Sequence, residues 1–450
     1  MRDLWKRAFG AIALLLVVLL ALAPGGTQTS ISGSDQAAGR APQAGGQLLA
    51  SSYQEGGDPG ASPAIASEPV APVLTQAVRD LPLYVAEYTL DREINPRLSY
   101  RTGLDPNLRV ESGIDPLLAV QEAAPKAAPN AFNAPLVNIL GQGYTGVNPP
   151  DTVGEVGPSH YVQMINGSGG AVLKIYNKTT GATIAGPTAL DSLGTGSCAS
   201  GLGDPVVLYD QAAGRWLLSE FAQTGNHFCV YVSQTGDPTG AYYAYDFTTP
   251  TFPDYPKYAV WPDAYYVTSN ETAPTVYALD RAKMLIGAAA TTQRFTASSL
   301  TGFGFQALTP ADLDGSTAPP AGAPGIMMRH RDTEVHGPTG YATQDILELW
   351  QLSVNWTTPA SSTFTKVADI LTAEFSSDLC GLTSFSCIPQ PGTTTKLDPL
   401  REVIMNRLAY RNFGTHQTLV GNLVTDTNGA DRAGVRWFEL RKTTGAWSLV

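Results

Sequence analysis

GDPVVLYDQAAGRWLLSEFAQTGNHFCVYVSQTGDPTGAYYAYDF, residues 203–247, decides the fold. It holds four short runs rich in β-branched and aromatic residues, at 205–209, 215–221, 228–233 and 242–247. Turn chemistry separates them: Asp210 to Gly214, Thr224 to Asn226, and Gly236 to Gly240. Runs of this length bounded by Gly, Asn, Asp and Pro read as strands, and the short connections make them an antiparallel meander. A four-stranded sheet has two faces to cover. Stacking similar sheets around an axis covers both, which is how a β-propeller is built. A pair of β-sandwiches is the alternative that composition leaves open.

The cadence recurs on both sides of this stretch. Residues 160–166 and 171–176 read as strands upstream, with the turn Asn177-Lys178-Thr179-Thr180-Gly181 after them. Downstream, 253–261, 264–269, 275–279 and 293–295 make a third unit, and 303–308, 325–328, 345–352 and 364–370 a fourth. A fifth runs through 402–410, 418–425, 435–440 and 446–450. The expected class is therefore all-β: a β-propeller of four-stranded antiparallel blades, about five of them present. The chain stops on Trp447-Ser448-Leu449-Val450, which reads as a strand with no closing partner after it. An incomplete ring and a C-terminally truncated chain are the expectation.

Three segments follow: a signal peptide at 1–23, a low-complexity and extended linker at 24–133, and the propeller at 134–450. Arg2, Lys6 and Arg7 precede an apolar run from Ala11 to Leu22, with small residues at Ala21-Leu22-Ala23. That is the pattern of a cleaved export signal, and the run is short for a membrane span. No second run of spanning length occurs, so the mature chain is expected to be secreted or held at the cell envelope without a transmembrane span. Residues 25–71 are dominated by Gly, Ala, Ser, Gln and Pro, and bury too little apolar surface to offset the entropy of ordering. Residues 81–133, broken by prolines, read as an extended linker along the body.

With 28 Lys+Arg against 39 Asp+Glu, the net charge is −11, which argues against nucleic acid and anionic lipid as partners. Four cysteines suit an oxidising compartment. Proximity within single sheet units pairs Cys198 with Cys229 and Cys380 with Cys387. Zinc is disfavoured because no CxxC or nearby Cys/His spacing is present.

PPDTVGEVGPSHYVQMIN, GDPVVLYDQAAGRWLLSEF, DYPKYAVWPDAYYVTSNE, ALTPADLDG, RHRDTEVHG and NRLAYRNFGTHQTLVGN carry a resemblance. Over residues 138–450 the chain resembles a family of exported bacterial β-propeller proteins. The resemblance implies the fold, export, and a propeller that continues beyond Val450. It brings no catalytic residue with it.

Three polar constellations are candidates for chemistry. Asp312 and Asp314 form a DxDG turn, whose alternating carboxylates could wrap a Ca²⁺ ion; otherwise the turn caps its own amides, and no cofactor is needed. Arg329, His330, Arg331, Asp332, Glu334 and His336 form the most polar cluster, either a ligand site or a self-paired salt-bridge network. Arg407, Arg411 and His416 form a second. If blade ends converge, the two clusters share one axial mouth; if they are structural, an Arg pairs with an aspartate at a blade junction, such as Asp204, Asp254 or Asp398. Trp216, Trp261, Trp350, Trp356 and Trp437 read first as packing between sheets.

The functional expectation is a non-catalytic binding or surface module for an extracellular polymer or protein, leaning against an enzyme. The alternative is a secreted polysaccharide-acting enzyme, hydrolase or lyase, working in the axial pocket. No sialidase-type SxDxGxTW repeat and no GxSxG elbow occurs. The two readings separate at the axis: a shallow uncharged mouth suits the binder, a tight cluster of acids the enzyme.

Overall fold

The computed structural model describes residues 62–86, 92–93, 113–124, 133–300, 307–338, 340–341, 343–380, 386–400 and 403–450. The expected signal peptide at 1–23 and most of the expected low-complexity stretch fall outside the described residues.

Five antiparallel sheets surround one axis. Blade 1 is Val153–Val156, His160–Gly167, Gly170–Asn177 and Thr183–Ala189. Blade 2, the meander read first in the sequence, is Gly201–Asp210, Arg215–Ala222, His227–Ser233 and Tyr242–Thr248. Blade 3 is Asp254–Val260, Tyr265–Asn270, Pro274–Leu279 and Thr292–Thr296. Blade 4 is Thr309–Asp314, Gly325–Arg331, Gln344–Ser353 and Thr363–Ala373. Blade 5 is Leu408–Asn412, Gln417–Asp426, Ala433–Lys442 and Ser448–Leu449. In each blade the first strand is innermost. The inner strands of blades 4 and 5 pair in parallel, Ala311 opposite Leu408 and Asp314 opposite Arg411. Arg407 reaches back to Glu155 on the inner strand of blade 1, so the fifth blade is joined to the first across an ion pair.

The period of two along a strand builds the core between neighbours. In Arg215–Ala222, Trp216 and Leu218 pack toward blade 1 with Val162, Met164 and Leu173. Leu217, between them, packs toward blade 3 with Tyr258, Tyr265 and Val267. A third cluster runs through blades 3, 4 and 5, from Tyr266 and Phe295 through Met327 and Trp350 to Leu419 and Phe438. Each such side chain, fully buried, contributes on the order of 1.5–3 kcal/mol. Among the tryptophans, Trp216, Trp261 and Trp350 are buried as expected, while Trp437 is 69% exposed on blade 5.

Residues 62–86, expected within a disordered and extended linker, form a strap around the outside. Ile65–Ala66 adds a fifth strand to blade 3 and Val73–Leu74 adds one to blade 2. Further on, Tyr84 donates its N–H to the Pro187 carbonyl of blade 1 at 2.8 Å. Open blade edges offer unpaired backbone groups, and those pairings offset the ordering cost that composition alone had predicted to prevail.

Blade 4 departs from the expected strands. Its inner strand is Thr309–Asp314, where a turn was expected, and residues 301–306 lie outside the described residues. Pro310 and two aspartates look like turn chemistry. The parallel pairing with Leu408–Asn412, 94 or more residues away, makes them a strand instead. Both expected disulfides are formed, Cys198–Cys229 and Cys380–Cys387.

Candidate active site

The inner strands begin at one rim, and aspartates collect there. Asp151 lies two residues before Val153–Val156, Asp204 near the start of Gly201–Asp210, and Asp254 at the start of Asp254–Val260. Each adjoins a proline: Pro150-Asp151, Asp204-Pro205 and Pro253-Asp254. Proline holds the chain extended as it enters the ring. Asp151 and Asp204 then turn through the left-handed region, at φ 39° and 51°. Non-glycine residues pay for that conformation, aspartate less than most, and such costs gather at functional sites.

One buried side chain ties the first two acids together. Asn166, at the end of the second strand of blade 1, donates from Nδ2 to Asp151 Oδ2 at 3.0 Å and to the Pro149 carbonyl at 2.9 Å. Its Oδ1 accepts the backbone N–H of Asp204 at 2.8 Å. The charges of Asp151, Asp254 and Lys257 all act on the Asp204 carboxyl group. Withdrawal from water pushes the Asp204 pKa well above the ordinary aspartate range. The charges of Asp151 and Asp254 push it further, against a smaller opposing pull from Lys257. A carboxyl group is therefore held protonated beside two other carboxyl groups.

Further along the axis, Arg407 joins blades 4, 5 and 1. Its Nε lies 3.2 Å from Asp312 Oδ2, and its Nη2 meets Glu155. Asp312 also accepts the Val260 N–H at 2.8 Å. Burial raises Asp312 to about 6, with Arg407 and the Val260 N–H holding it back. The aspartates expected as an Arg partner, Asp204, Asp254 and Asp398, are not the partners of Arg407; Asp312 and Glu155 are. Asp314 stands 3.9 Å from Arg411 at the other end of the strand. Asp312 and Asp314 thus sit in an inner strand, each facing an arginine of the fifth blade.

The 329–336 cluster divides. Arg329 is buried, its Nε 2.6 Å from Glu348 Oε2 and its Nη1 2.8 Å from the Ser298 carbonyl. Arg331 meets the other Glu348 oxygen, and Trp350 Nε1 donates to Glu348 at 3.0 Å. These arginines are structural. His330 is buried edge-on to Phe375, at 5.3 Å, and burial beside His336 and Arg436 lowers its pKa to about 3. It is a neutral core ring. Asp332 caps the short helix Thr333–His336 and accepts from Ser377 N at 2.7 Å and Ser377 Oγ at 2.9 Å.

Around that helix the structure joins Asp332 and Glu334 to two acids absent from the sequence candidates, Asp345 and Glu374. Carboxylate oxygens of Asp332, Glu334 and Asp345 lie within 4.8 Å of one another. Asp345 accepts the N–H groups of Thr333 and Phe375, at 2.8 and 2.7 Å. Burial, then Asp332, raises it to about 7. Glu374 is raised to about 8 by burial and by the charges of Asp345 and Glu334. Thr309 pairs with Met328, so Arg331 and this cluster lie at the rim where the inner strands begin.

The two polar clusters do not share one mouth. Arg407 is at the starting rim, but Arg411 and His416 flank the turn at the opposite rim, where Arg411 lies beside Asp314. His416 stacks on Phe413 at 4.9 Å and Arg411 lies 5.2 Å over the same ring. Asn166 and Asn270, both in N-x-S/T sequences, are buried at the rim of the axis.

No family model and no curated protein matches this chain. Among solved structures it is similar to a family 43 β-1,3-galactosidase with galactodeoxynojirimycin, at 10% identity over 66% of this chain and 92% of that one, TM-score 0.31. It is also similar to the catalytic domain of the Coprinopsis cinerea family 62 α-L-arabinofuranosidase, at 14% identity, 65% and 90% coverage, TM-score 0.27. A third is the Cellvibrio cellulosa α-L-arabinanase, at 11% identity, 67% and 94% coverage, TM-score 0.24. All three are named for the cleavage of glycosidic bonds. The expected non-catalytic binding or surface module, leaning against an enzyme, is corrected on the geometry of the axis: its mouth carries three aspartates where a binding module was to show a shallow uncharged surface.

Proposed function

We propose that this chain is an exported, polysaccharide-acting enzyme, a glycoside hydrolase or lyase, whose reaction takes place at the axial mouth of the propeller. The observation that carries the proposal is the gathering of Asp151, Asp204 and Asp254 where the inner strands begin, with Asn166 bridging the Asp151 carboxylate and the Asp204 backbone. Glycoside cleavage needs one carboxyl group that holds a proton and another that is ionised, and neighbouring environments that push their pKa values apart create that division. Asp204 is the proton donor to the departing glycosidic oxygen. Asp254 is the base or nucleophile on the opposite side of the bond. Asp151 and Asn166 position Asp204, Asn166 by fixing the backbone of one acid and the carboxylate of the other. The two disulfides fit work outside the cytoplasm.

The test is release of reducing ends from a panel of polysaccharides, arabinan and β-1,3-galactan among them, with unsaturated products scored separately to mark a lyase. Asp204→Asn should cut the rate at least about 100-fold, the ordinary contribution of a general acid, while the urea midpoint stays close to the parent's. In the parent the rate should fall as pH rises through the raised pKa of Asp204. Release that is unchanged in Asp204→Asn, or absent from every polymer, overturns the proposal.

A further inference from the structure

A separate cavity lies on the outer face of blade 1, away from the carboxylates of the axis. Tyr84 and Ala86 of the strap, the crossover 142–145, Val172 and Lys174 of the third strand, and Pro187 line about 170 Å³. That is smaller than the roughly 300–1,000 Å³ of sites for drug-sized ligands, and suits a single small ring.

Its walls are fixed before any ligand arrives. Gln142 donates from Nε2 to the Gln163 and Val172 carbonyls, at 3.0 and 3.2 Å, and its backbone N–H bonds to Gln163 Oε1 at 2.8 Å. Thr145 Oγ1 donates to the Asn166 carbonyl. On the strap, Tyr84 Oη accepts the Ser168 N–H at 3.0 Å. A pocket held this way loses little freedom when it is filled.

Two features select the ligand. Tyr144 is 47% exposed beside the cavity, so its ring offers a flat apolar face next to hydroxyl and amide groups. Lys174 has an aromatic ring for company, its Nζ 5.1 Å from the centre of Tyr176, and no carboxylate partner among the described residues. In a chain of net charge −11 an ammonium group without a carboxylate is a notable placement. An apolar ring face, several hydrogen-bonding groups and one cation in a space of this size fit a pyranose that carries a carboxylate.

We propose that this cavity binds one uronic acid residue, with Lys174 meeting the carboxylate and Tyr144 the sugar face. The proposal does not depend on the axial chemistry. Its probe is galacturonate, with galactose as the neutral control, titrated into the full chain and followed by calorimetry and by ¹⁵N amide shifts. Galacturonate should bind at least about tenfold more tightly than galactose, equivalent to about 1.4 kcal/mol. Lys174→Met should erase that preference while Tyr144→Ala weakens both sugars, and Asp204→Asn should leave both affinities as they are. Equal affinities in the parent, no binding of galacturonate, or a preference that survives Lys174→Met would overturn the proposal. Should Tyr144→Ala fail to fold, Tyr144→Leu, which keeps bulk but loses the ring, gives the same reading.

Discussion

Glu374→Gln isolates the acid cluster at the rim of blade 4. Glu374 is raised from its ordinary 4.5 to about 8 by burial and by its neighbours Asp345 and Glu334. A carboxyl group with a raised folded-state pKa stabilises the fold fully below its unfolded value, and that contribution is lost as pH rises through the folded value. Here the loss runs from about pH 4.5 and is complete once the pH has passed about 8. The undiscounted difference is on the order of 5 kcal/mol, at about 1.36 kcal/mol per unit. Glu374 is only partly buried and shares its repulsion with three other carboxyl groups, so solvent screening reduces the figure to about 1 kcal/mol. Gln is isosteric with the protonated acid and carries no charge to be repelled. Urea unfolding at pH 5 should therefore give the same midpoint for parent and variant. At pH 9 the variant should be the more stable by about 1 kcal/mol, at unchanged slope. Identical pH profiles for the two proteins, or a variant that is weaker at pH 9, would refute the assignment of strain to this cluster.

Two further outcomes follow from the geometry. Breaking Cys198–Cys229 by a double Ser substitution should lower stability by about 3.7 kcal/mol, against about 2.4 kcal/mol for Cys380–Cys387, because the first closes a loop of 31 residues and the second one of 7; urea unfolding of the two variants measures the difference. Arg411→Ala should change stability by less than about 0.5 kcal/mol and leave polysaccharide cleavage intact, since its ion pair with Asp314 is half exposed and lies at the rim away from the mouth; an inactive Arg411→Ala protein would place the reaction at the wrong end of the axis.

Strands were legible wherever the apolar run was local and bounded. The runs expected at 205–209, 215–221, 228–233 and 242–247 appear as Gly201–Asp210, Arg215–Ala222, His227–Ser233 and Tyr242–Thr248. Legibility failed where long-range pairing overrides local chemistry. Thr309–Asp314 is a strand because Leu408–Asn412 lies beside it, and Ile65–Ala66 is one because Arg294 and Gln293 face it. The site was legible only in part. Density of His and Arg drew attention to 329–336, yet those arginines are consumed by Glu348 and His330 is sealed in the core. Asp151, Asp204 and Asp254 carried a weaker signal, an aspartate next to proline at the start of successive blades, which becomes meaningful only once those starts are known to meet at one rim.

Buried acids are common in this ring and the company each keeps divides them: some are matched by a guanidinium, while Asp204, Glu220, Asp345 and Glu374 are raised by burial and neighbouring carboxyl groups. Asp210 receives Arg281 through two bonds, at 2.6 and 3.0 Å, and the Tyr265 hydroxyl at 2.9 Å. Glu271 receives Arg294 at 3.0 Å together with Ser269, Thr251 and Tyr277. Glu348 has Arg329, Arg331 and Trp350. Each of these charges is matched by a guanidinium, and further donors bond the same carboxylate, which is what a buried ion pair requires to hold a fold together. Removing one partner there would unfold the blade junction and say nothing about chemistry. Among the described residues no guanidinium pairs with Asp204. Its neighbours are two further aspartates and one lysine, so a carboxyl group is kept neutral by its surroundings and remains able to give up a proton. An arrangement that holds a proton against its own stability is what acid catalysis needs and structural pairing does not.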